Sequence, residues 1–154
     1  MAGAGQHRRD DAQHGKSGPG RPASPLPRVV RHLRSGLTVR MAEVLGRTRV
    51  TVCGEIDLDC AETLHQALVE CVAATPQGVD VDLSGVGFFD CAGLNVLLRV
   101  RALAQATGAE LTVAATSPVV ARVLDLTHCR DAFPRGAPPA CAPAAAPWPA
   151  SRPA

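Results

Sequence analysis

The chain has 154 residues, a length that fits one domain, because typical domains run to about 100 to 200 residues. Hydrophobic residues make up 46% and aromatic residues only 3%, so aliphatic side chains must build any buried core. Charged residues interrupt every apolar stretch before it reaches the roughly 18 residues of a membrane span, which excludes an integral membrane protein. Asp10 and Asp11 follow Arg8 and Arg9 where a secretory signal needs apolar residues, so a cytoplasmic protein is predicted.

Charge and proline are distributed unevenly along the chain. Residues 1–35 carry seven Lys or Arg against two Asp, a net charge of +5, whereas the remainder carries nine basic and twelve acidic residues. Eleven of the thirteen prolines lie at or before Pro27 or from Pro134 onward. The sequence therefore predicts a disordered, basic, Pro/Gly-rich tail over residues 1–35, a folded domain over 36–133, and a disordered Pro/Ala-rich tail over 134–154. The dispersed basic charges lack aromatic neighbours, so no direct nucleic-acid binding is expected.

The first elements of the domain are two strands and a helix. Apolar and polar residues alternate from Leu37 to Val44 and again in the run that starts after Gly46, which predicts a β-hairpin. Asp59 and Glu62 then have the spacing of a capping box, so a helix is predicted to begin at Asp59 and to end near Pro76.

The second half of the domain alternates strands and helices. A short strand is predicted at 79–83, a tight loop at 84–93, and a helix from there to about Thr107. A strand at 110–115 follows, and Ser117 with Pro118 supplies the N-cap and first turn of a third helix. The order β-β-α-β-α-β-α predicts an α/β fold in which helices flank a mixed sheet.

Motifs of common enzymes and metal sites are incomplete in this sequence. Gly85 and Gly87 resemble the start of a dinucleotide fingerprint, but Asp90 occupies the third glycine position. The G-x-S-x-G elbow of hydrolases is missing. Asp57 and Asp59, like Asp80 and Asp82, lie two residues apart, and these acids are interpreted as solvated strand and cap residues. The six cysteines form no Cys-x-x-Cys pair and are interpreted as reduced thiols. We therefore expect no enzyme activity, no metal and no cofactor.

Two motifs carry a resemblance to a known family. The first is Gly54-Glu55-Ile56-Asp57, and the second is the segment DLSGVGFFDCAGL at 82–94. At about residues 37 to 130 the sequence resembles the STAS family, the fold of bacterial anti-sigma factor antagonists. The resemblance implies a non-enzymatic, partner-switching regulator of transcription. It would bind an anti-sigma factor with a kinase-like ATPase fold and so release a sigma factor.

The resemblance also implies the site residues. The docking surface would comprise the start of the second helix and the end of the second strand: Asp57, Asp90, Cys91, Ala92, Gly93 and Leu94. The position before or at a helix N-terminus suits a phosphate, and in the family a kinase phosphorylates the serine after the Asp. A phosphate there would repel an acidic or hydrophobic partner surface, and the complex would dissociate.

The chain departs from the family at the phosphoacceptor position. Cys91 and Ala92 replace the two usual hydroxyl residues, so the protein is a constitutively unphosphorylated antagonist, a thiol sensor, or a copy whose cysteine only fills space. The prolines from Pro134 onward also predict that the final strand and helix of the family are missing or degenerate. Two alternative functions stay open: a cytoplasmic STAS accessory subunit of a lipid-transport ATPase, and a thiol-dependent redox sensor using Cys91.

Overall fold

The structure is a computed structural model that describes residues 27–136. Within that range the chain forms five strands, three α-helices and a final 3-10 turn at Arg130–Ala132. The elements follow one another as β1 (Arg28–His32), β2 (Leu37–Val44), β3 (Arg47–Ile56), α1 (Leu58–Ala74), β4 (Val79–Phe89), α2 (Cys91–Thr107), β5 (Leu111–Thr116) and α3 (Pro118–Leu126). The predicted α/β class is confirmed. None of the helices in this range is long and apolar enough to cross a membrane.

The five strands form one mixed sheet in the order β1-β2-β3-β4-β5. Strands β1, β2 and β3 are antiparallel neighbours, and the predicted hairpin joins β2 to β3 through Leu45 and Gly46. Strands β3, β4 and β5 are parallel, so α1 and α2 are crossover connections. Since such crossovers are right-handed and both advance in the same direction, α1 and α2 pack side by side on one face of the sheet.

The core lies between that face and the helices. Alternate strand residues point into it, and helical residues at spacings of three and four meet them. The largest of its fully buried side chains are aliphatic, as the composition predicts: Leu37, Val39, Val50, Val52, Ile56, Leu64, Leu68, Val79, Val81, Leu83, Leu97 and Val100. The sheet and the two helices are therefore one packed unit, which holds the strand ends in fixed positions.

Two predicted boundaries at the start of the domain are wrong. Arg28–His32, placed in the N-terminal tail by its basic and proline-rich context, forms β1 and pairs with Leu37–Met41 of β2. The folded part therefore begins before Gly36, because main-chain hydrogen bonds to β2 stabilise an edge strand whose outward arginines stay in water. Helix α1 begins at Leu58, and its N-cap is Asp57 rather than Asp59.

The predicted loop at 84–93 is also wrong, because β4 continues to Phe89 and α2 begins two residues later. Gly85 and Gly87 lie in an irregular part of β4. The β3–β4 register shifts between Thr51 and Cys53 and again between Gly54 and Glu55. Such irregularities let a glycine-rich segment stay hydrogen-bonded to its neighbour while it bends.

The C-terminal part of the described chain returns to the sheet edge. Phe133 is buried, the backbone N–H of Val113 donates to the Pro134 carbonyl at 3.2 Å, and Arg135 forms a parallel bridge with Val113. Residues up to 136 thus extend the fold past the boundary expected at Phe133. Of the tails expected over residues 1–35 and 134–154, residues 1–26 and 137–154 lie outside the described residues. The final strand and helix, expected to be missing or degenerate from Pro134 onward, cannot be followed beyond Gly136 for the same reason.

Acidic side chains at the amino ends of the parallel strands are paired with Arg47. Its guanidinium donates to Asp80 at 2.7 Å and to Glu110 at 3.3 Å, and the Thr112 hydroxyl also donates to Asp80. Partial burial raises the pKa of Asp80, but the hydrogen bonds from Arg47 and Thr112 and the Arg47 charge outweigh it, so the net pKa is below its usual value. Asp80 is therefore a structural residue.

Candidate partner-docking site

The two sequence motifs meet where β3 and β4 end. Ile56 and Phe89 are paired neighbours in the parallel register, and each is followed by an aspartate that caps the next helix. Because carboxyl ends of parallel strands lie at the same edge of a sheet, Asp57 and Asp90 stand side by side. Both helix N-termini therefore open onto one surface of the molecule.

The Asp90 carboxylate closes the N-terminus of α2. Its Oδ1 accepts hydrogen bonds from the backbone N–H groups of Ala92 at 2.8 Å and Gly93 at 3.2 Å. These groups are free donors at any helix start, and a carboxylate there also meets the positive end of the helix dipole. One carboxylate oxygen is thus used for the fold, while Oδ2 accepts no hydrogen bond from the described residues.

Asp57 has the same role in α1, with Cys60 as its partner. The Cys60 backbone N–H donates to Asp57 Oδ1 at 3.1 Å, and the Asp57 backbone N–H donates to the Cys60 sulfur at 3.4 Å. This is a reciprocal capping box with a cysteine in the position usually taken by Glu or Gln. Hydrogen bonds from the Cys60 thiol and backbone lower the pKa of Asp57, so the carboxylate is ionised at neutral pH.

Gly93 allows α2 to lie directly on the strand ends. A Cβ atom at this position would stand 2.6 Å from Phe89 Cε2 and 2.8 Å from Ile56 Cγ2, closer than side-chain carbons approach. Leu94 is 7% exposed and packs into the core. Gly93 and Leu94, predicted as partner-binding residues, therefore support the site from beneath and offer no side chain to a partner.

Gly54 has a comparable role in the other motif. Its φ of +102° is in a region that L side chains rarely adopt, and a Cβ there would collide with the Gly36 carbonyl. Residue 54 is thus restricted to glycine by the close approach of β3 to the turn before β2. The restriction fixes the path of the chain just before Glu55 and Asp57.

Cys91 is the first residue of α2 and is exposed, and Ala92 is half-buried. The five cysteines within residues 27–136 are free thiols. Burial raises the pKa of Cys71 to about 11 and raises that of Cys53 and Cys60 to a lesser degree. Cys91 is therefore the accessible thiol of the predicted site, while Cys71 is protected by the core.

A shallow, open depression of about 420 Å³ joins the two helix starts. It is lined by four acidic and two apolar residues: Glu55, Asp57, Asp59, Asp90, Leu58 and Phe88. Leu58 is 77% and Phe88 47% exposed, and no carboxylate of the four forms an ion pair in the described part of the chain. No group of three or more His, Cys, Asp or Glu side chains in that part, these four included, is arranged so that it could hold a metal ion.

Two of these six residues, Asp57 and Asp90, are predicted as site residues from the sequence. Glu55 and Phe88 belong to the two motifs, but the sequence assigns neither a role. It predicts Asp59 only as the start of a helix and gives no role to Leu58. Pairing the motifs by parallel register would have found the other two strand residues, because Glu55 lies directly opposite Phe88. The position of Leu58 in the depression can be inferred only when α1 is known to begin at this residue.

Comparison with known proteins identifies the family of this chain. The family model described as "Mlab, STAS domain" matches residues 39–131. The chain belongs to the STAS family. Among curated relatives, the anti-sigma-F factor antagonist RsfB of Mycobacterium tuberculosis is 39% identical over 61 residues, or 40% of this chain. The chain spans about half the length of that relative, at 50%.

Solved structures agree with the family assignment. An anti-sigma factor antagonist from Mycobacterium paratuberculosis superposes with a TM-score of 0.60 at 29% identity, over 69% of this chain and 89% of its own. The unphosphorylated form of the anti-sigma factor antagonist SpoIIAA gives a TM-score of 0.55 at 15% identity, over 64% and 88% of the two chains. The second likeness concerns the fold alone. Together they confirm the predicted STAS-like fold class.

Proposed function

We propose that this chain is an anti-sigma factor antagonist. It is a non-enzymatic, cytoplasmic protein that binds an anti-sigma factor of kinase-like ATPase fold and thereby releases a sigma factor for transcription. The main support is the surface at the carboxyl ends of β3 and β4, where both family motifs present an aspartate-capped helix N-terminus. The similarity to relatives named as anti-sigma factor antagonists adds to it.

Docking takes place on this surface through exposed groups. Asp57 and Asp90 each have a carboxylate oxygen available, and Cys91 is exposed beside them. Ala92 contributes a small, half-buried side chain that lets a partner approach the first turn of α2. Gly93 and Leu94 pack that turn against the core. They affect binding indirectly, because they determine where α2 lies.

The thiol at position 91 changes how such a complex is controlled. A kinase that phosphorylates serine finds no hydroxyl at Cys91 or Ala92, so the complex is not released by phosphorylation of this turn. The protein then acts as a constitutive antagonist whose effect follows its concentration. Introducing the hydroxyl by Cys91→Ser at nearly the same volume should keep binding and make it sensitive to kinase and ATP.

A pull-down with the full chain from the lysate of its source bacterium tests the function. We expect an anti-sigma factor, identified by mass spectrometry, and its complex with the parent protein should survive addition of ATP. The Cys91→Ser variant should bind the same protein but dissociate when ATP is added to a kinase-active partner. Recovery of no anti-sigma factor would contradict the proposal.

Two other functions give different results in the same experiment. The missing hydroxyl at positions 91 and 92 also suits an accessory subunit of a lipid-transport ATPase, which needs no phosphorylation switch, and a transporter ATPase would then be recovered. The exposed thiol of Cys91 suits a redox sensor, which would be recovered with a thioredoxin and only before reduction.

A further inference from the structure

Two apolar side chains are exposed in the acidic depression without a structural reason. Leu58 precedes the buried residues of α1, which start at Cys60, and its side chain is 77% exposed. Phe88 is 47% exposed, while the next residue, Phe89, is buried by the alternation of β4. Exposed large apolar side chains grouped within a polar rim mark interaction sites.

The charges around these side chains determine what kind of surface fits them. Glu55, Asp57, Asp59 and Asp90 place four carboxylates around one depression, and no arginine, lysine or histidine within residues 27–136 forms an ion pair with any of them. An acidic partner surface would meet like charges here and be rejected. A neutral apolar surface would remove the carboxylates from water without pairing them, which is unfavourable.

We propose that this depression recognises a basic, apolar-centred surface of the anti-sigma factor. Arginine or lysine side chains of the partner pair with the four carboxylates, and an apolar group between them contacts Leu58 and Phe88. The carboxylates give attraction over distance and orientation, while the two apolar side chains supply the buried centre of the contact. This inference rests on the proposed function and adds the chemistry of the partner surface.

The aspartates also cap helices, so the test must remove charge without removing the cap. Asp57→Ser and Asp90→Ser keep a side-chain oxygen for the free N–H groups of the first helical turn but eliminate the negative charge. Glu55→Gln and Asp59→Asn remove charge at exposed positions. Leu58→Ala and Phe88→Ala shorten the apolar pair, and Leu126→Ala, at 70% exposure on α3, is the matched apolar control.

Binding of these variants to the purified anti-sigma factor identified by the pull-down is measured by calorimetry between low and high NaCl. We expect Leu58→Ala and Phe88→Ala each to weaken binding at least tenfold at all salt concentrations, with Leu126→Ala like the parent. The variant that combines Glu55→Gln, Asp57→Ser, Asp59→Asn and Asp90→Ser should have a lower affinity than the parent at low salt. Its affinity should also depend much less on the salt concentration, because salt screens only the interactions between charges. The double variant Glu43→Gln/Asp131→Asn removes two exposed charges outside the depression. It should change neither the affinity nor its salt dependence.

Two outcomes overturn the inference. If the parent binds the anti-sigma factor but with no salt dependence, or if Leu58→Ala and Phe88→Ala bind like the parent, the depression does not recognise the partner in this way, although the proposed function stands. If no anti-sigma factor binds at all, both fail. Thermal unfolding by circular dichroism excludes variants whose loss of binding reflects loss of fold.

Discussion

The two ends of the parallel strands contain similar residues in opposite states. At the amino ends, Asp80 and Glu110 both form an ion pair with the same residue, Arg47, so each carboxylate has a partner within the molecule. At the carboxyl ends, four carboxylates remain without an ion pair in the described residues and surround exposed Leu58 and Phe88. The first end therefore stabilises the fold, and the difference supports the proposal that the second end binds a partner.

The largest effect is expected at Gly93, where the carboxyl end depends on close packing. Gly93→Ala places a Cβ 2.6 Å from the Phe89 ring, and overpacking of this kind costs about 1–3 kcal/mol. Urea unfolding should show this loss in the free energy of unfolding. Gly87→Ala is the control, because a Cβ there meets no atom within 4 Å. Equal stability of the two variants would mean that α2 does not press on the strand ends.

Removing an acid should destabilise the fold at one end of the strands only. Asp80→Asn leaves the partly buried Arg47 without its main partner and should lower the free energy of unfolding by about 1–2 kcal/mol. Glu55→Gln at the other end should stay within about 0.5 kcal/mol of the parent. Urea unfolding measures both. If Glu55→Gln cost as much as Asp80→Asn, the two ends would not differ in the way described.

The Asp80 contact also predicts a pH dependence. Because the pKa of Asp80 in the folded protein lies below its ordinary value of 3.8, its contribution is fully present above that value and is lost as the pH falls through the lowered folded-state pKa. The parent should therefore lose more stability on acidification than Asp80→Asn does. Unfolding curves between neutral and strongly acidic pH compare them, and parallel loss in both proteins would contradict the assignment.

A smaller effect is expected at the cap of α2. Asp90→Ala removes the acceptor for two backbone N–H groups and should cost about 1 kcal/mol, whereas Asp90→Ser keeps an acceptor and should cost less. Thermal unfolding of the two variants separates the cap from the charge. Identical stability of Asp90→Ala and the parent would show that the cap contributes nothing, and Asp90 would then be a binding residue alone.

The last of these predictions concerns the reactivity of cysteine thiols and involves no change in stability. Labelling distinguishes a thiol on the surface from one in the core. Cys91 should react quickly with a disulfide reagent at mildly alkaline pH, because it is exposed at the start of α2. Cys71 should react only on unfolding, because it is buried and its pKa is about 11. Peptide mapping after short labelling identifies the modified residue. Early labelling of Cys71 in the native protein would contradict the packing of α1.

Much of this fold follows from local sequence patterns. Alternation and helical spacing predicted the hairpin, the three helices and the mixed sheet, since these patterns state which side of each element is buried. The strand at Arg28–His32 was missed because its stability comes from pairing with β2 and its basic composition resembles that of the tail. The sequence predicts the capping box of α1 at Asp59 instead of Asp57, because a cysteine at position 60 is not the usual partner in a capping box.

The site was predictable in part. The resemblance identified Asp57, Asp90 and Cys91, which the structure places at one edge of the sheet. Sequence alone could not show that Leu58 and Phe88 remain exposed beside them, since exposure depends on where α1 begins and on the register of β4. The acidic character of the whole depression also arises only when two distant segments meet.

Calorimetric titration of the anti-sigma factor into Cys91→Arg tests the docking site most directly. A cationic side chain at this exposed position would face the basic partner surface and repel it, so affinity should fall at least a hundredfold, or about 2.7 kcal/mol. Gln105→Arg adds the same charge at the exposed far end of α2 and should bind like the parent. Parental affinity of a folded Cys91→Arg variant would show that the partner does not dock at this end of the strands.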